Sequence, residues 1–160
     1  VGALVPNGFE VVVRLVATTP GTKDWWLAYK EQFVSLISVC VARSTSRSAL
    51  NFGIWEGHGF CAESTDDALS KIPKLEMSNR NYFLLTGDVD SVGDLKYPGS
   101  ADWRNPDLVW PDDHSWFIAT DVDFWSLYVG GSSQMIQDIE SRFGDSCERV
   151  GDSDKLVIED

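Results

Sequence analysis

The residues best equipped for chemistry are a few carboxylates and two imidazoles. Glu56 stands in the run Trp55-Glu56-Gly57-His58-Gly59, at the end of a predicted strand. Desolvation by an adjacent indole can hold a carboxyl protonated, which is how a general acid is made. A salt bridge to an arginine such as Arg80 would instead keep Glu56 ionised and structural. His114 follows Asp112 and Asp113 directly. Carboxylates that close favour the imidazolium, and an imidazole–carboxylate pair can relay protons. Asp121 and Asp123 frame an Asp-Val-Asp triplet that repeats the one at Asp88–Asp90. Glu56, His114, Asp121 and Asp123 are therefore the candidate catalytic set, and their chemistry would be that of a hydrolase or transferase.

Each of these signals has a plainer counterpart. Nine Asp and no Glu fall between Asp88 and Asp123, which raises the question of a hard cation. Counted from Asp88, however, the fifth position of a calcium loop would be Val92 and the twelfth Gly99. Aspartates that cap turns account for the cluster without a metal. Zinc would need several nitrogen or sulfur ligands, and His58 and His114 have no neighbouring HxxxH or CxxC; no metal site is expected. His58 itself, between two glycines, reads as a loop imidazole. Ser132 follows Gly130-Gly131 at a predicted helix start, where a serine is an N-cap far more often than a nucleophile. No GxSxG, phosphate-loop or GxGxxG pattern occurs, and no cofactor is implied.

Charge narrows the partners. Twenty-five acidic against thirteen basic residues leave a net charge of −12. That argues against nucleic acid, which needs clustered Lys and Arg, and against anionic membrane surfaces. A basic protein or a cationic ligand is electrostatically compatible. The three cysteines (40, 61 and 147) are far apart, and no apolar stretch is long enough to span a bilayer. A reducing cytoplasm suits that pattern. Seven tryptophans are an unusual number. Most are expected in the core, while Trp55, Trp103 and Trp110, beside strand ends and a predicted loop, are the candidate binding anchors.

The elements that must position these groups can be read along the chain. Phe9–Ala17 is rich in β-branched residues and reads as a strand. From Lys23 to about Val41, Trp26, Tyr29, Phe33, Leu36, Ile37 and Cys40 recur at helical spacing and mark one buried face. Ala49–Gly57 and Asn81–Gly87 read as further strands, with Leu50, Phe52 and Ile54 sharing a face. A short helix is predicted around Thr65–Ile72. The stretch at about 88–110 loses all periodicity and is predicted as a long, acidic, aromatic-containing surface loop. The runs Ser115–Asp121 and Phe124–Gly130 read as a hairpin, with Trp116, Ile118 and Thr120 on one face. A Gly-Gly-Ser-Ser turn then opens a helix over Gln134–Phe143, stopped by Gly144. Lys155–Glu159 is a possible last edge strand. The sum is a single α+β domain over residues 1–160, with a mixed, mainly antiparallel sheet of about five or six strands packed with two main helices and one short one.

Several blocks occur together in order: Leu4–Glu10 with Arg14, Trp55–Gly59, Arg80–Gly87, Val109–Asp123 and Tyr128–Ser132. In these the chain resembles a family of actinobacterial proteins with no established activity, which read roughly VPxGFE, WxGxG, RxYxLxxG, WPxD…W…D and YVGGS. The resemblance implies a small soluble bacterial protein, and it supplies no reaction. Val109, Ser78 and His114 depart from its pattern. His114 stands where Arg is usual, which argues against indispensable charge chemistry at that position. The leading expectation is a non-enzymatic binding module for a protein partner or small ligand, in the manner of immunity or regulatory proteins. The alternative is the carboxylate/His enzyme around Glu56, His114 and Asp121.

Overall fold

A computed structural model describes residues 4–16, 25–44, 49–58, 71–77, 80–96, 103–120, 126–151 and 154. Within them the chain forms strands β1 (Val11–Val16), β2 (Leu50–Trp55), β3 (Lys74–Glu76), β4 (Asn81–Gly87), β5 (Leu108–Pro111), β6 (Phe117–Ala119), β7 (Ser126–Gly131) and β8 (Cys147–Val150). The helices are α1 (Trp25–Ala42), α2 (Val89–Asp94) and α3 (Ser133–Phe143), with single 3-10 turns at Glu56–His58 and Gly144–Ser146. The short helix predicted around Thr65 and the edge strand at Lys155–Glu159 lie outside the described residues.

The strands make one sheet in the order β3-β4-β2-β5-β6-β7-β1-β8, and every neighbouring pair is antiparallel. The α+β architecture is as expected, but the sheet has eight strands where the sequence predicts five or six. The additions are β3, β5 and β8, of three or four residues each. Strands that short carry little periodicity of their own; pairing with a neighbour defines them.

The stretch at 88–110 is also more ordered than a surface loop. Asp88 caps α2: its carboxylate accepts from Ser91 N at 2.8 Å, and its own N–H donates to Ser91 Oγ at 3.2 Å. Residues 108 onward enter the middle of the sheet as β5. The first aspartate of the Asp-Val-Asp triplet is thus a helix cap.

Both faces of the sheet are covered at its centre. On one face α1 lays down Tyr29, Phe33, Leu36, Ile37 and Cys40, the predicted stripe, against Val13, Leu15, Phe52, Val109, Ile118 and Leu127. Met135, Ile136 and Ile139 of α3 close the same layer. Fully burying a side chain such as Phe33 or Leu36 contributes about 1.5–3 kcal/mol. On the other face Val12, Leu108, Ala119 and Tyr128 pack with Val5, and the segment 4–10 runs across them.

Gly130 and Gly131, read from sequence as a turn, belong to β7. A Cβ on Gly130 would lie 2.5 Å from the Phe9 ring, and one on Gly131 would lie 2.0 Å from Met135. The missing side chains let the segment 4–10 approach one face and α3 the other. Ser132 is the N-cap, accepting from Met135 N at 3.3 Å. The Glu10 carboxylate accepts from Ser133 N at 2.9 Å, so the helix N-terminus meets an anion from its own chain. That bond holds the Glu10 carboxyl below its ordinary pKa.

Candidate functional site

Trp110 in β5 and Phe117 in β6 are brought side by side by the antiparallel pairing Val109↔Ile118, on the face opposite α1. Their rings stack with centroids 5.7 Å apart and planes 23° apart. Neither residue is fully covered. Phe9, seated over Gly130, forms a second wall with Pro6 and Asn7, and Leu75 of β3 contributes from the far edge. Between them lies a cavity of about 400 Å³. Its lining is mostly apolar, with the Asn7 amide and the His114 imidazole as side-chain polar groups.

His114 owes its place to the β5–β6 connection. Its N–H donates to Pro111 O at 3.0 Å and its backbone is left-handed, with φ of 52°. Asp113 accepts from Ser115 N at 3.0 Å, closing the turn. A left-handed residue after a type I turn is a common way to close a short hairpin, usually with glycine. The neighbouring carboxylates are turned to other partners. Asp112 is engaged by Asn51 Nδ2 at 2.8 Å.

Among the described residues an imidazole–carboxylate pair forms elsewhere. His58 Nε2 lies 3.0 and 3.1 Å from the two oxygens of Asp107. Asp107 Oδ2 also accepts from Trp55 N at 2.7 Å, and its backbone joins Gly53 O and Thr120 N. The carboxylate side chain is only 5% exposed, against 19% for the imidazole. A nearly dry carboxylate needs such donors. Burial pushes the Tyr29 hydroxyl pKa up; a hydrogen bond with Thr120 opposes that shift and the Asp107 charge adds to it. The result ties the 3-10 turn after β2 to the start of β5 and the end of β6. A pairing across 49 positions leaves no trace in local spacing.

Glu56 takes the structural course, with a different partner. Lys74 Nζ donates to it at 2.5 Å and Asn81 Nδ2 at 3.4 Å. These bonds hold its carboxyl below the ordinary value, the reverse of a desolvated general acid. Arg80 sits instead over the Trp55 ring, 4.7 Å from its centroid. Glu56 and His114 do not share the cavity, and Asp121 and Asp123 lie outside the described residues.

Of the three tryptophans expected as anchors, Trp110 alone lines the cavity. Trp103 is 7% exposed, with its indole N–H donating to Val92 O at 2.7 Å and its rings packed on Trp26, Tyr29 and Phe33. Trp55 is held between Arg80, the His58 edge and the bare backbone of Gly57, whose Cβ would strike the indole. Phe9, Leu75 and Phe117 were not anticipated as lining, because they converge from three separate elements.

Among the described residues no group of three or more His, Cys, Asp or Glu could hold a metal ion, and no helix is long and apolar enough to cross a membrane. The fold and site define an antiparallel α+β domain with an aromatic-walled cavity on the sheet face opposite its long helix. Comparison of the chain with protein-family models, curated proteins and solved structures finds no match.

Proposed function

We propose that the protein is a non-enzymatic binding module that takes a small, largely apolar ligand between Trp110, Phe117 and the segment 6–9. The observation that carries this reading is the stacked, incompletely covered Trp110–Phe117 pair beside a cavity of about 400 Å³. Small-ligand sites are concave, mostly apolar and furnished with a few orienting polar groups, in this size range. Asn7 and His114 supply those groups. The carboxylate/His enzyme loses support, because Glu56 pairs with Lys74 and the Asp112 carboxylate beside His114 accepts from Asn51.

The test is titration with the uncharged fluorescent probe N-phenylnaphthylamine. Saturable binding is expected, weakened by Trp110→Ala by about 2 kcal/mol, roughly 30-fold. Leu27→Ala, at an exposed leucine of α1, serves as the control and leaves binding unchanged. Equal affinity in the wild type and Trp110→Ala would reject the cavity as the site.

A further inference from the structure

Resting on that reading, we infer that the cavity's ligand is a small organic cation, an alkylammonium or quaternary ammonium group on an apolar body. Three observations point the same way. The lining is aromatic: Trp110 and Phe117, stacked on each other, and Phe9 all border the cavity. Aromatic faces carry the negative end of the ring quadrupole and attract cations, indole most strongly. No Lys or Arg lines the cavity.

The second observation is a carboxylate on the same side of the sheet. Asn51 is the cross-strand partner of Trp110, so the two side chains leave the sheet on one face. Asn51 Nδ2 donates to Asp112 Oδ1 at 2.8 Å, which draws the exposed Asp112 carboxylate toward that face, beside the turn that carries His114. Two cations of the sheet face carboxylates of their own: Arg14 pairs with Glu148 at 2.9 Å and Lys74 with Glu56. The third is the net charge of −12, which raises the local concentration of cations and repels anions. An anion entering the cavity would leave water for an aromatic lining and meet an acidic surface; a neutral apolar group would gain burial alone.

Three probes of one shape separate these cases: choline, its uncharged carbon isostere neohexanol, and the anion tert-butylacetate, each displacing N-phenylnaphthylamine at low salt. The expected order is choline first, about tenfold ahead of neohexanol, with tert-butylacetate weakest. Asp112→Asn keeps an acceptor for Asn51 and removes the charge. It should narrow choline's advantage about threefold and leave neohexanol unchanged. Neohexanol equal to choline, or the anion ahead of both, would overturn the cation assignment while the cavity remains a binding site. Failure of the uncharged probe to bind at all would remove both.

Discussion

Replacing His58 with Ala tests whether the buried carboxylate of Asp107 depends on its imidazole. In the native protein Asp107 accepts from Trp55 N at 2.7 Å and lies 3.0 Å from His58 Nε2, with 5% of its side chain exposed. Without the imidazole one backbone donor is left for a nearly dry charge. Removing a hydrogen-bonding partner from a buried acceptor costs about 1–3 kcal/mol, and more when the acceptor is charged. His58 is itself 19% exposed, so water can enter the space it leaves. That solvation limits the penalty, so a cost of about 2–3 kcal/mol is expected. Asp107→Asn keeps an acceptor for Trp55 N and gives up only the charge, so about 1–2 kcal/mol is expected. The double variant should cost less than the sum of the two by about 1–2 kcal/mol, the mark of coupled partners. Urea unfolding at neutral pH measures all three, and thermal midpoints should fall by about 2–4 °C for each kcal/mol lost. A His58→Ala cost under about 0.5 kcal/mol, or strict additivity in the cycle, would refute the assignment.

Two further outcomes follow from the same geometry. Gly130→Ala would place a methyl 2.5 Å from the Phe9 ring and 2.9 Å from Val5, so the segment 4–10 must shift. A loss of about 1–3 kcal/mol is expected together with weaker N-phenylnaphthylamine binding; an unchanged thermal midpoint with unchanged probe affinity would contradict the packing. Hydrogen bonds depress the carboxyl pKa of Glu10 (from Ser133), Glu56 (from Lys74 and Asn81), Asp88 (from Ser91), Asp138 (from Arg43) and Glu140 (from Arg149). A depressed carboxyl stabilises the fold fully above its ordinary value, near about 4, and ceases to do so as pH falls through the depressed one. The urea midpoint should therefore hold from neutrality down to about pH 5 and decline below it; a midpoint that rises on acidification would contradict these bonds.

What the sequence determined by itself is whatever is encoded within one element. The α1 stripe from Tyr29 to Cys40, the alternation of Leu50 and Phe52, the β6–β7 hairpin and the Ser132 cap all follow from local periodicity or local hydrogen bonding, and the structure places each as read. The candidate site was legible only in part: Trp110 was singled out, whereas Phe9, Leu75 and Phe117 join it by folding. Trp103 looked like a loop aromatic because nothing in its neighbourhood reveals that α1 lies over it. Gly130-Gly131 looked like a turn because a glycine needed for flexibility and one needed for close approach are the same letter. His58 and Asp107 became partners only when β2 and β5 paired. Tertiary structure decided these matters because burial, cross-strand pairing and the choice of counter-charge are set by residues far apart in the chain, while periodicity reports only a residue's nearest few neighbours.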